Sequence, residues 1–104
     1  MKIRLRRYLQ ERISFWESAM NLHSSSFQIR EMKSRWGSCN IVTKKLCFNL
    51  HLFKADPICI DYVIIHELSH LVFAGHGSDF WELVMRYMPD YKRIRKKLNE
   101  IHTV

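Results

Sequence analysis

ICIDYVIIHELSHLVF, residues 58–73, is the stretch that decides the fold of this chain. Apart from Asp61 and residues 66–70 it is apolar on every side, which is typical of a helix buried at the centre of a domain. The run Val63-Ile64-Ile65 has strand character, but the length of the whole stretch favours a helix. Asp56-Pro57 supplies a start signal and Gly75 a stop signal. The sequence therefore predicts a central helix over residues 58–73.

Within this stretch, His66-Glu67-Leu68-Ser69-His70 matches the pattern H-E-x-x-H. Residues four apart on a helix share a face, so both imidazoles can reach one metal ion, and Glu67 is placed to act on a water molecule at that ion. Burying two histidines and a glutamate without partners would cost several kcal/mol, and a bound cation removes that cost. The motif predicts a Zn²⁺ site with His66 and His70 as ligands and Glu67 as the general base.

The third ligand has two candidates. His76 lies six residues after His70, the offset found in the pattern H-E-x-x-H-x-x-G-x-x-H, although Phe73 stands where that pattern has glycine. Gly75 and Gly77 flank His76 and suit a tight reversal that aims its side chain back at the helix. Glu82, further along the chain, is the rival ligand.

These motifs together resemble a known family. The resemblance is carried by Met32-Lys33-Ser34-Arg35-Trp36-Gly37-Ser38-Cys39, Phe48-Asn49-Leu50, residues 61–71 around the histidines, and His76-Gly77-Ser78-Asp79-Phe80-Trp81. The chain looks like the YgjP-like metallopeptidase domain over roughly residues 25–90, and around the metal it is also similar to the WLM and SprT-type proteases. The resemblance implies a minimal zincin over residues 1–104, with His66, His70 and His76 as zinc ligands and Glu67 as the base.

The rest of the chain indicates an α+β fold. Leu5, Leu9, Ile13, Trp16 and Met20 recur at three- and four-residue steps and predict an amphipathic helix over residues 3–21. Three β-type runs follow at residues 27–33, 35–43 and 46–52, with a turn at 43–45, and predict a small three-stranded antiparallel sheet. After the central helix, a helix capped by Ser78 runs to about residue 88 and a short basic helix to about residue 99.

Composition limits where such a protein works and what it binds. With 104 residues the chain is long enough for one domain, and three cysteines without paired spacing favour a reducing, cytoplasmic setting. No stretch is apolar enough to span a membrane or to serve as a secretory signal. The net charge is +7, with basic residues gathered near both ends, so contact with nucleic acid remains a candidate beside simple solvation.

In a zincin, an extended peptide substrate typically pairs with a sheet edge, for which residues 35–40 or 49–51 are candidates. Arg35, Asn49, His51 and Tyr87 are chemically able to contact substrate or to stabilise an oxyanion. Aromatic residues and one cysteine near the motif are more typical of core or rim positions, namely Trp36, Phe80, Trp81 and Cys39.

Two other functions compete with peptide hydrolysis. One is a metal-dependent hydrolase of a phosphate-containing substrate such as a nucleotide. The other is a non-enzymatic, zinc-stabilised module that binds nucleic acid, in which Cys39 or Cys47 would close the site. In addition, His102 near the C-terminus is a candidate to occupy the open zinc position and so to confer latency.

Overall fold

The computed structural model describes residues 2–101, and the side chains of residues 4–101. The elements in chain order are α1 (Lys2–Met20), β1 (Ser26–Arg30), β2 (Gly37–Asn40), β3 (Lys45–Asn49), a 3₁₀ helix (Leu50–Lys54), α2 (Pro57–Ser69), α3 (Ser78–Tyr87) and α4 (Tyr91–Asn99). The predicted α+β class is confirmed, and each predicted helix and strand overlaps an observed one. His102, the candidate for latency, lies outside the described residues.

Helix α1 forms because its apolar residues repeat along one face. Leu5, Leu9 and Ile13 are buried at four-residue intervals and join the core that surrounds α2. The helix ends at Asn21, which has a φ of 56°. Asparagine tolerates this left-handed conformation and often ends helices in this way. The predicted helix over residues 3–21 is confirmed to within one residue at each end.

A polar link also ties α1 to α2. Asp61, the carboxylate within the apolar stretch, is 6% exposed and accepts hydrogen bonds from both Arg12 and Tyr8. The Arg12 Nη2 to Asp61 Oδ2 distance is 3.0 Å, and the Tyr8 hydroxyl lies 3.2 Å from Oδ1. A nearly buried carboxylate needs such partners, so this pairing explains how the central helix can carry a charge on its α1 side.

The sheet is mixed, so the predicted antiparallel sheet is wrong in one of its two pairings. β2 and β3 form the predicted antiparallel hairpin, in which Cys39 lies opposite Leu46. β1 instead runs parallel to β3, with Phe27 opposite Leu46, and the strand order is β1-β3-β2. β3 takes the middle position because residues 46–49 are all buried, as suits a strand covered on both faces. β2 is left as an edge strand.

Asn49, at the end of β3, fixes the connection between β1 and β2. Its side-chain amide donates to the carbonyl oxygens of Met32 at 2.9 Å and Arg35 at 2.7 Å, and its Oδ1 accepts from the backbone N–H of His51 at 3.0 Å. The side chain is fully buried. These bonds satisfy carbonyl groups of a loop that has no regular structure, and they set the point at which β2 begins.

Helix α2 is the centre of the molecule, and ten of its 13 residues are buried. It ends at Ser69, four residues before the predicted end at residue 73. The apolar residues that suggested a longer helix fold back in turns, through which Leu71 and Phe73 still pack against the core. These residues are packed against the core without being helical. The chain therefore reverses direction after Ser69, and residue 76 lies close to the end of α2.

Helices α3 and α4 complete the core around α2. Phe80 and Val84 are buried from α3, and Ile94 and Leu98 from α4. The predicted caps differ in detail. Asp56 is the N-cap residue of α2 and Pro57 its first residue, as predicted, but the Asp56 carboxylate pairs with Lys97 of α4 and makes no capping bond. Ser78 is the first residue of α3, and Gly77 is its N-cap. Over residues 2–101, no helix combines the length and the apolar character needed to cross a bilayer.

Candidate metal centre and active-site cleft

Three histidines converge on one point at the C-terminal end of α2. His66 projects from the last turn of the helix and His70 is its C-cap residue, and the reversal that follows returns His76 to the same place. The Nε2 atom of His76 lies 3.1 Å from Nε2 of His70 and 3.2 Å from Nε2 of His66. A tetrahedral zinc ion with Zn–N bonds of about 2.0–2.1 Å sets its ligand nitrogens about 3.3–3.4 Å apart. The three nitrogens therefore fit a single zinc ion.

The hydrogen bonds behind the histidines support the same arrangement. The carbonyl oxygen of Phe73 can only accept, so His70 Nδ1 donates to it at 2.9 Å and leaves Nε2 unprotonated. His66 Nδ1 lies 3.3 Å from the hydroxyl of Tyr62, one turn earlier on α2. Such outer partners fix the tautomer and ring orientation of metal-binding histidines.

The environment keeps two of the three imidazoles neutral, as metal binding requires. Burial lowers the pKa of His66 to about 3, and the neighbouring His70, His76 and Arg95 act in the same direction. Burial also lowers the pKa of His70. Aromatic rings enclose the cluster, with the Phe80 ring stacked on His70 at 4.5 Å between centroids and the Trp81 ring stacked on His76 at 5.8 Å. These aromatic side chains lower the polarity around the imidazoles and so favour their neutral form.

Glu67 lies next to His66 on α2 and is 5% exposed. It nevertheless lines the same cleft as the three histidines. Burial raises its pKa to about 8, an effect that the Arg35 guanidinium partly offsets. A carboxyl group with a pKa close to neutrality can both take and return a proton, which is what a general acid–base catalyst must do.

Gly37, at the start of β2, allows the strand to pass close to Glu67. A Cβ atom at this position would lie 3.0 Å from Val63 Cγ1, 3.1 Å from the carbonyl oxygen of Cys47 and 3.2 Å from Glu67 Cγ. The Gly37→Ala variant should therefore push β2 and Glu67 apart. We expect it to lose about 1–3 kcal/mol in its free energy of unfolding, measured by urea denaturation.

Gly75→Ala is the matched control for this prediction, because a Cβ atom at Gly75 has no neighbour within 4 Å and its φ is not positive. It should stay within about 0.5 kcal/mol of the wild type, as most surface substitutions do. Equal stability of the two variants would contradict the close approach at Gly37.

The histidines and Glu67 open into a cleft of about 520 Å³. Its walls are the start of β2, the side of α2 that carries His66 and Glu67, and the end of α4. Its lining includes Ser38, Cys39, Ile41, Arg95 and Leu98. The strand that borders the cleft, β2, is one of the two edge strands of the sheet. The centre is therefore reached from solvent along a strand with free main-chain groups, a shape suited to an extended ligand.

The other residues predicted from the sequence take different places. Arg35 lines the cleft, but Asn49 is buried in the loop contacts already described, and Tyr87 packs edge-on against Trp16. His51 is paired with Glu31, at 3.2 Å. Glu82 is exposed on α3, where it lines a separate, smaller cleft, and it does not belong to the histidine cluster.

The aromatic residues and the cysteine expected in core or rim positions lie at the border of the site. Phe80 is fully buried, whereas Trp36 and Trp81 are half-buried against the core. Cys39 lines the cleft, and its pKa is raised to about 11 by burial and by the charge of Glu67. At neutral pH this thiol is therefore protonated, and among the described residues Cys39 does not belong to the histidine cluster.

Two cleft residues were not found from the sequence, Tyr62 and Arg95. Tyr62 is four residues before His66, so helical spacing could have indicated it. Its pKa is raised to about 12 by burial, and the charge of Arg95 acts in the opposite direction. Arg95 is one of several basic residues on α4, and only the packing of α4 against α2 singles it out.

Comparisons with known proteins agree with this architecture. A family model described as "YgjP-like, metallopeptidase domain" matches residues 1–101. No match to the chain was found among curated proteins.

Two solved structures are similar to this fold. One is the metallopeptidase zymogen jannalysin of Methanocaldococcus jannaschii, with a TM-score of 0.76 and 23% identity over 88% of this chain and 94% of that one. The other is the metallopeptidase zymogen abylysin of Pyrococcus abyssi, with a TM-score of 0.79 and 19% identity over 86% of this chain and 90% of that one.

Proposed function

This chain belongs to the YgjP-like metallopeptidase domain family, and from that premise we propose that it is a zinc-dependent peptidase in which Glu67 is the general base. The observation that carries the proposal is the convergence of three histidine Nε2 atoms beside a buried glutamate at the floor of an open cleft. His66, His70 and His76 would hold the metal. Three protein ligands leave a fourth position open, as catalytic zinc sites require.

When bound, Zn²⁺ would supply Lewis-acid chemistry at a water molecule and a positive charge that favours the ionised form of Glu67. Glu67 faces the cleft and would take a proton on a carboxylate oxygen and return it to the leaving amine. Tyr62 would hold the His66 ring in the orientation that points Nε2 at the centre. The aromatic residues around the cluster would limit the access of bulk water.

Strand β2 is the proposed platform for the substrate. It is the edge strand beside the cleft, and its outer main-chain groups have no partner strand among residues 2–101. A peptide in extended conformation could pair with Gly37–Asn40 and so pass across the histidines and Glu67. Asn49, at the end of the central strand, is not at such an edge.

The residues around the three histidines do not favour a closed structural zinc site. Such sites are normally completed by a fourth protein ligand, often a cysteine. Within the described part of the chain, neither Cys39 nor Cys47 joins the three histidines, and Cys47 is buried in the central strand. A buried glutamate between two ligands has a clear use in hydrolysis and none in a structural site.

The test is metal-dependent cleavage of peptides. Protein loaded with one equivalent of zinc should cleave a subset of a mixed peptide library, detected by mass spectrometry. Removal of zinc with a chelator should stop cleavage, and zinc added back should restore it. Cleavage that continues without metal, or zinc-loaded protein that hydrolyses nucleotides but no peptide, would overturn the proposal.

A further inference from the structure

The charges that line the cleft are unequal in number and in exposure. Arg35 enters from the loop before β2, and Arg95 from α4 on the other wall. Both side chains belong to exposed residues, whereas Glu67, the only carboxylate in the lining among residues 4–101, is buried. A substrate in this cleft therefore meets a positive field, apart from the proton-transfer group itself.

Arg95 differs from its neighbours on α4. Arg93 pairs with Asp90, and Lys97 pairs with Asp56, so both have carboxylate partners within the fold. Lys96 is exposed and does not line the cleft. Arg95 alone among these cations lines the cleft, and no carboxylate of residues 4–101 lies within ion-pair distance of its guanidinium.

The Arg95 side chain is also held in place before any ligand arrives. Its guanidinium carbon lies 5.0 Å from the centroid of the Trp81 ring. Trp81 is itself stacked on Tyr91, with 5.0 Å between centroids and 13° between planes. Arginine stacks well on aromatic rings and keeps its donors free at the edge of the guanidinium. A side chain that is already ordered loses less entropy when it binds a ligand.

A second donor stands beside it. Tyr62 lines the same cleft as Arg95, and its hydroxyl, a hydrogen-bond donor, lies 3.3 Å from Nδ1 of His66. A planar guanidinium with a neighbouring hydroxyl matches a carboxylate, which accepts two parallel hydrogen bonds. Arg95 lines the cleft from α4, and Gly37, Ser38 and Cys39 line it from β2, so a peptide paired with that strand would lie in the cleft that Arg95 borders.

We propose that Arg95 binds a carboxylate of the substrate, so that the enzyme selects peptides that carry a negative charge near the scissile bond. This inference rests on the proposed peptidase function. The carboxylate can belong to an aspartate or glutamate side chain, or to the C-terminus of the substrate. The recognising chemistry is the same in both cases, and the experiment separates them.

The experiment compares peptides that differ in one group only. Once a cleaved peptide is known, it is made with blocked ends and with Glu, Gln or Lys at each of the positions next to the scissile bond. A fourth version keeps Gln and has a free C-terminal carboxylate. The quantity measured is the ratio of kcat/KM for the charged peptide to that for its neutral Gln counterpart.

We expect the wild type to favour one carboxylate peptide over its neutral counterpart by about tenfold, the effect of one charge-assisted hydrogen-bonded pair. The Arg95→Gln variant should lower this ratio to about 1, and Arg95→Lys should keep part of it because the charge remains. Lys96→Gln is the matched control, since it removes the same charge from the next residue of α4, outside the cleft. Preference for the Glu peptide identifies a side chain as the source, and preference for the free terminus identifies the chain end.

Equal kcat/KM for charged and neutral peptides in the wild type would overturn the inference, as would an Arg95→Gln variant that keeps the wild-type ratio. A binding measurement keeps this outcome separate from failure of the proposed function. If zinc-loaded protein cleaves no peptide, fluorescence anisotropy of labelled Glu and Gln peptides still tests the site. Tighter binding of the Glu peptide that is lost in Arg95→Gln supports the carboxylate site, and equal binding overturns it.

Discussion

Replacing His66 or His76 with alanine should abolish zinc binding, whereas replacing Glu82 with alanine should leave it intact. The wild type should carry close to one zinc ion per chain by mass spectrometry of the native protein. Loss of an outer partner of a metal ligand already lowers metal affinity about 10- to 100-fold. The Nε2 atom of His76 lies 3.1 Å from that of His70 and 3.2 Å from that of His66, so all three are proposed as direct ligands. Loss of one direct ligand should lower zinc affinity by more than this factor. The value of kcat/KM for peptides should fall in parallel.

Thermal unfolding gives an independent measurement of the same result. A ligand that binds only the folded state stabilises it by about 2.7 kcal/mol at a concentration 100 times its dissociation constant. Added zinc should therefore raise the Tm of the wild type and of Glu82→Ala, but not that of His66→Ala or His76→Ala. If Glu82→Ala lost zinc while His76→Ala retained it, Glu82 would be the third ligand and the histidine cluster would be misassigned.

The Glu67→Gln variant should separate metal binding from catalysis. Its turnover should fall by about 10²–10⁴, the usual contribution of a positioned acid–base group, while its zinc content stays at the wild-type level. Burial raises the pKa of Glu67 to about 8, so the neutral carboxyl group that glutamine imitates already fits this position. The variant should therefore fold normally, which denaturation curves can verify.

Glu11→Gln is a suitable control for this variant, because Glu11 is exposed on α1, away from the cleft. It should retain full turnover. A Glu67→Gln protein with more than about a tenth of wild-type turnover would exclude Glu67 from proton transfer. Loss of zinc together with turnover would show that Glu67 serves the metal site instead.

The helices could be predicted from the sequence because their signals are local. The spacing of Leu5, Leu9 and Ile13 defines α1, and the all-round apolar character of residues 58–73 defines the buried position of α2. The strand order could not be predicted in this way. The turn at Lys44, with a φ of 63°, indicates the β2–β3 hairpin, but nothing local to β1 says that it pairs in parallel with β3.

The site was predictable only where its residues are close in sequence. His66, Glu67 and His70 lie within one and a half turns of helix, and His76 follows at a known offset. The position of Arg95 in the cleft depends on how α4 packs against α2, and no sequence pattern around Arg95 indicates that packing. Asn49 was predicted as a candidate substrate contact, but its side chain bonds to carbonyl groups of the loop before β2. The sequence alone does not distinguish a polar strand residue that contacts a ligand from one that contacts the backbone.

The length of β2 limits how tightly the proposed main-chain pairing could hold a substrate. A strand of four residues offers about four main-chain hydrogen bonds along its free edge, because alternate residues point their groups outwards. At about 1 kcal/mol each, these bonds would give a dissociation constant no tighter than the millimolar range, because association also costs translational and rotational freedom. Cleaved products, which keep only part of this pairing, should leave quickly. The residence time of a substrate and the selection among substrates would then depend on side-chain contacts and on the local concentration of the target. We therefore expect each bound peptide to have a short residence time.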